Sequence, residues 1–109
     1  MTIAKEEIFG PVMSIMKFKT TQEVIERANA TEYGLVSGVV TKNLDSAIEI
    51  SNGLRTGQVF VNCWMASSYN TPFGGFKNSG IGRELGAHGL KGFLESKTVI
   101  IKRPNSSMP

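Results

Sequence analysis

The order of elements read along the sequence predicts an α/β fold with a parallel sheet. Three observations predict it. Short apolar, β-branched runs alternate with segments of helical periodicity between residues 12 and 62. A residue able to cap a helix precedes each of the first two helical segments. Strands separated by a whole helix pair in parallel through right-handed crossovers, because a tight hairpin cannot join them. The composition suits such a fold: 109 residues, 40% hydrophobic and 19% charged, describe a globular chain of one-domain size.

Residues 12–18 follow the turn signal Gly10-Pro11 and carry Met13, Ile15 and Phe18, so they read as the first strand. Thr20 to Glu23 has the capping-box form T-x-x-E. Val24, Ile25 and Ala28 then recur at helical spacing, and the polar stretch 29–34 closes that helix at Gly34. Residues 35–41, with Val36, Val39 and Val40 around Gly38, form the second strand. Asn43 caps a second helix whose apolar stripe is Leu44, Ala47, Ile48 and Leu54, with Ser51 on the same face. Residues 58–62 supply a third strand through Val59, Phe60 and Val61. Residues 63–82 have no period and read as one long loop, which in a compact domain marks function or disorder; Trp64, Tyr69, Phe73 and Phe76 argue against disorder. Seven of the twelve glycines lie between Gly74 and Gly92. Residues 83–96 suit a helix weakened by Gly86, Gly89 and Gly92, by about 1 kcal/mol each relative to alanine. Residues 98–102 read as a last strand, and residues 104–109 as a mobile tail.

Composition excludes several functions. Twelve Lys and Arg against nine Asp and Glu leave a net charge of +3, small and scattered, which gives no nucleic-acid footprint. No apolar run is long enough to span a membrane, and the first 30 residues, with Glu6, Glu7, Glu23 and Glu26 and no continuous apolar region, do not resemble a signal peptide. One cysteine, Cys63, and one histidine, His88, exclude an internal disulfide and a multi-histidine metal site. Cys63 suits a reducing compartment and reads as a small buried residue after a strand rather than a nucleophile. His88 reads as a solvated or capping side chain. Gly80-Ile81-Gly82 fails the dinucleotide fingerprint, because the third glycine falls at Gly86 and not at residue 85. Glu6 and Glu7 point to opposite sides of an extended segment and cannot face each other as acid and base. One of them can accept two hydrogen bonds from a diol such as a ribose; the alternative is a solvated charge pair. The loop Thr71-Pro72-Phe73-Gly74-Gly75-Phe76-Lys77 suits either the wall of an apolar pocket or a wedge into a core.

Lys5-Glu6-Glu7-Ile8-Phe9-Gly10-Pro11, Tyr33-Gly34-Leu35, Val61-Asn62-Cys63, Pro72-Phe73-Gly74-Gly75-Phe76-Lys77 and Ser79-Gly80-Ile81-Gly82-Arg83-Glu84 together resemble the NAD-dependent aldehyde dehydrogenases. The similarity is greatest to the animal cytosolic (retinal-type) and mitochondrial branch and covers essentially the whole chain. It implies that the chain is the C-terminal part of a longer subunit. Residues 1–82 would complete the catalytic domain with its cofactor and substrate loops. Residues 83–103 would supply a helix and an oligomerisation strand. By resemblance, Glu7 binds the nicotinamide ribose hydroxyls and Phe9 packs near the nicotinamide. Phe73 walls the aldehyde tunnel, and Glu84 is a candidate proton relay. The cofactor implied is NAD, with NADP as the alternative. The partners implied are an aldehyde and further copies of the chain, in a dimer or tetramer joined through residues 98–102. The compartment implied is cytoplasmic, with mitochondrial as the alternative.

The family mechanism is covalent. A cysteine thiolate attacks the aldehyde, hydride passes to NAD, and a glutamate activates water to hydrolyse the thioester. By the family pattern, nucleophile and general base lie upstream of these 109 residues, and Cys63 matches a non-nucleophilic position. Ser67 departs from the pattern, since close relatives often carry an aromatic residue there; a wider or more polar tunnel mouth follows. The competing reading is a non-enzymatic, crystallin-type relative on the same scaffold.

Overall fold

The computed structural model describes residues 1–104. Helix α1 spans Thr21–Asn29 and starts where the sequence indicates: the Thr20 hydroxyl accepts the Glu23 N–H. The Glu23 carboxylate accepts the Lys19 N–H at 2.8 Å and pairs with Arg27 one turn on, at 3.0 Å. These contacts, the Lys19 bond foremost, hold its pKa below the ordinary carboxylate value. Strand β1 is Tyr33–Gly34, β2 is Val36–Val39, and α2 is Leu44–Gly53, capped by Asn43 accepting from the Ser46 N–H at 2.8 Å. Strand β3 is Gln58–Val61, β4 is Phe76–Lys77, and α3 is the single turn Gly86–Gly89.

β2, α2 and β3 make one βαβ unit. The strands are parallel, from Val36 opposite Gln58 to Val39 opposite Val61. Asn62 prolongs this ladder with its side chain. Its own N–H reaches Val39 O, its Oδ1 accepts the Thr41 N–H at 2.9 Å, and its Nδ2 donates to Thr41 O at 2.8 Å. Asn29 does the same between the helices, donating to Gly53 O at 2.7 Å and accepting the Arg55 N–H at 2.8 Å. A short antiparallel pair, β1 with β4, joins this unit to the C-terminal half.

The α/β class is as the sequence predicts, but the sheet is smaller. Two strands are parallel, not three, because residues 12–18 form no strand. A strand needs a neighbour for its backbone groups. Among the described residues none lies alongside, and Met13 and Ile15 stand in the open, each 79% exposed. Residues 98–102 likewise form no strand, for the same want of a partner, and Ile100 is 81% exposed. The helix expected over 83–96 shrinks to α3 and a 3-10 turn at Leu90–Phe93. Its first turn is lost because Glu84 is engaged by Phe73 and the chain then passes through left-handed backbone at Leu85 (φ 61°) and Gly86 (φ 54°). The loop expected over 63–82 contains β4, and the stretch expected to close α1 contains β1. Except for Pro104, the expected mobile tail lies outside the described residues.

The buried apolar side chains among the described residues are Val39, Ala47 and Phe60. The α2 stripe is correspondingly half-open, with Leu44 and Ile48 exposed. The Cα radius of gyration is 21.0 Å and the chain extends over 73 × 33 × 27 Å. A compact domain of this length would have a radius near 13 Å. The chain therefore presents to its surroundings most of the apolar surface that a complete domain would enclose. No described helix is long and apolar enough to cross a membrane.

Candidate functional site

The residues singled out above fall in three places. The N-terminal arm carries Glu7 and Phe9, which border one hollow of about 200 Å³ together with Glu6 and Ile8. A 3-10 turn at Thr2–Ala4 shapes its near wall, and the Glu6 N–H closes on Thr2 O at 2.9 Å. The Glu7 carboxylate has no hydrogen-bond or ionic partner among the described residues, so its full acceptor capacity faces outward. Phe9 is held in left-handed backbone (φ 53°) and is 92% exposed. For a bulky residue that conformation costs about 1–2 kcal/mol, and such strain concentrates at binding sites. Among the described residues nothing repays it: the ring covers no core.

The second place is the loop after β3. Phe73 and Glu84 are brought together by a reciprocal backbone pair, each N–H bonding the other's carbonyl at 2.8 Å. The loop between them is drawn tight. Arg83 donates to Gly75 O at 2.7 Å and to Gly82 O at 2.8 Å, and its guanidinium lies 4.9 Å from the centre of the Phe76 ring. Gly74 presses on Gly57 so closely that a side chain at Gly57 would overlap the Gly74 carbonyl. The result is a hollow of about 330 Å³, bordered by Leu35, Phe73, the loop glycines and Glu84. Phe73 is half-buried and Glu84 exposed.

Ser67 occupies a third place, an exposed loop that closes on itself. The Ser67 N–H bonds Met65 O and the Thr71 N–H bonds Ser68 O, both at 2.9 Å. Ser67 borders neither hollow. Cys63 is exposed, not buried as expected: the left-handed turn at Asn62 carries it off the end of β3. His88 is exposed on α3, in keeping with the solvated reading. No trio of His, Cys, Asp or Glu among the described residues could hold a metal ion.

Sequence reasoning passed over Lys77. Its ammonium donates to Asn29 O and Thr31 O, both at 2.8 Å, capping the C-terminal end of α1 where carbonyls lack partners. Beside it Asn78 bonds Glu32 twice, N–H to O and Nδ2 to Oε2 at 3.0 Å each, and Ser79 Oγ accepts the Gly34 N–H at 3.0 Å. Lys77, Asn78 and Ser79 thus staple the Phe73 loop to the βαβ unit. The signal available was a lysine directly after a Gly-Gly-aromatic turn, with no acidic residue nearby in sequence.

The chain belongs to the aldehyde dehydrogenase family, whose profile matches residues 1–99. It is 62% identical over 102 residues to cytosolic aldehyde dehydrogenase 2 of Macroscelides proboscideus, covering 94% of this chain and 42% of that one. It is 62% identical over the same length to aldehyde dehydrogenase 1A1 of Mesocricetus auratus, covering 94% of this chain and 20% of that protein. Among solved structures, the NAD+ complex of an aldehyde dehydrogenase from Bacillus cereus superposes with a TM-score of 0.82 at 49% identity, covering 87% of this chain and 19% of that one. The chain therefore spans about a fifth of the length of full-size relatives.

Proposed function

We propose that this chain is the C-terminal part of the catalytic unit of an NAD-dependent aldehyde dehydrogenase, which oxidises aldehydes to carboxylic acids through a cysteine thioester. The nucleophile and general base are supplied upstream, so the activity belongs to the assembled enzyme and not to these 109 residues alone. The proposed compartment is the cytoplasm, the proposed assembly a dimer or tetramer joined through residues 98–102, and NADP the alternative cofactor.

The observation that carries this reading is the pairing of the free Glu7 carboxylate with the strained, exposed Phe9 at one hollow. These residues fit the cofactor. An unpartnered carboxylate accepts both hydroxyls of a ribose, and an apolar ring held clear of the core offers a face to the adjoining nicotinamide. The chemistry NAD supplies when bound is acceptance of hydride from the substrate carbon. Glu7 fixes the ribose, and Phe9 limits where the ring can lie. Phe73 gives the aldehyde an apolar wall. Glu84, exposed and paired with Phe73 through its backbone, is the proposed relay that passes a proton between the site and water.

The test is Glu7→Gln in the assembled enzyme. The amide keeps the shape and one acceptor oxygen but loses the charge. Hydrogen bonds to a charged acceptor contribute about 1.5–3 kcal/mol, so the NAD dissociation constant should rise at least about tenfold. An unchanged NAD dissociation constant refutes the assignment.

A further inference from the structure

We propose that Trp64 is a positioning residue for aldehyde specificity: seated in the notch that Gly38 leaves on β2, it fixes the loop carrying Ser67. This rests on the reading of that loop as the mouth of an aldehyde tunnel.

Gly38 lies opposite Phe60 in the parallel ladder. Where a Cβ on Gly38 would stand, Trp64 Cζ3 and Cε3 lie 3.3 and 3.4 Å away, so the indole fills the space that the missing side chain vacates. The same ring tilts at 60° against Phe60, centre to centre 5.6 Å, the favoured arrangement of an aromatic pair. Phe60 is one of the few buried residues, so Trp64 is tied to the firmest part of the chain. The backbone on either side of it bends through left-handed conformations, at Asn62 (φ 54°) and Met65 (φ 56°). Those bends turn the indole back over the sheet and send residues 66–71 outward. Ser67 is three residues beyond the anchor; its loop is otherwise held by its own hydrogen bonds and, farther along, by the Gly86 N–H donating to Tyr69 O at 2.9 Å.

Specificity at a tunnel mouth depends on where the wall stands. A small serine fills little of the opening, so displacement of the backbone that carries it changes the fit directly. The notch can be disturbed from both sides. Trp64→Ala removes the anchor. Gly38→Ala leaves the anchor but places a methyl group 3.3 Å from the ring, so the indole must give by a few tenths of an ångström.

The experiment compares kcat/KM for a long and a short aliphatic aldehyde in the assembled enzyme, with the NAD dissociation constant measured alongside. Trp64→Ala should change the long-to-short ratio by about tenfold and Gly38→Ala by about twofold, with NAD binding unmoved. Trp64→Phe, which keeps an aromatic ring over the notch, should retain the parent ratio. The double variant should equal Trp64→Ala alone, because the methyl group has nothing left to displace. Ser67→Phe is the reference for the loop itself. If Ser67→Phe shifts the ratio and Trp64→Ala does not, the anchor is refuted while the tunnel-mouth reading stands. If neither shifts it, both fall.

Discussion

Replacing Lys77 by methionine tests how the Phe73 loop is held. Methionine preserves the length and apolar stem of lysine and meets the same left-handed backbone (φ 53°), so the two side chains bear similar strain. What disappears is the pair of bonds from the ammonium to Asn29 O and Thr31 O, each 2.8 Å. A bond from a charged donor contributes about 1.5–3 kcal/mol when sheltered. Lys77 is half-buried and water can replace part of each bond, so about 1 kcal/mol apiece is the appropriate figure. The seam should therefore open more readily by about 2 kcal/mol, a factor of about 30 in the opening equilibrium. Native-state hydrogen exchange in the assembled enzyme reads this at two amides inside the seam: Asn78, bonded to Glu32 O, and Gly34, bonded to Ser79 Oγ. Protection of both should fall by about that factor in Lys77→Met, with a smaller loss in Lys77→Arg, which keeps the charge but not the geometry. Protection within about threefold of the parent in Lys77→Met would show that the staple carries no weight.

Other outcomes follow from single contacts. Gly57→Ala should abolish soluble, active enzyme, since its methyl group would overlap the Gly74 carbonyl, whereas Gly82→Ala, with nothing within 4 Å, should be tolerated; equal yields of the two would contradict the packing described. Glu23 has its pKa depressed, chiefly by the Lys19 N–H, so its contribution to α1 is present above the ordinary carboxylate value of 4.5 and lost as pH falls through the depressed one. Exchange protection at the Val24 amide, which bonds Thr20 O, should accordingly fall in acid for the parent and stay level for Glu23→Gln; identical acid profiles would remove Glu23 from the account.

The parts of the fold that were legible in sequence are those decided locally. Thr20 with Glu23 and Asn43 with Ser46 announce their helices within four residues, and both helices begin where these caps stand. The β-branched cores of β2 and β3, separated by a helix, left little choice but a parallel pair. Elements made by distant pairing were not legible. Tyr33 meets Lys77 across more than forty residues, and two residues of strand have no pattern to detect. Residues 12–18 and 98–102 erred the other way: their composition is that of strands, but composition does not supply a neighbour. At the site, Glu7, Phe9, Phe73 and Glu84 were assigned by family likeness, and the physics of the sequence alone left Glu7 between a diol acceptor and a solvated charge. Lys77 and Trp64 escaped because their contacts, Asn29 O and Gly38, lie far back in the chain. A lysine's target and a glycine's vacancy become visible only once the chain has folded.

The elongated shape has a practical consequence. With Val39, Ala47 and Phe60 the buried apolar side chains, and both outer edges of the β2–β3 pair unclaimed, among the described residues, this polypeptide is a conditional part. Alone, it is an adhesive ribbon that invites edge-to-edge association. Joined to its complement, it trades that hazard for a shared interior. On the function proposed above, this piece and the rest of the enzyme, fused to separate proteins, would stay silent apart and reduce NAD together, giving an absorbance readout of proximity.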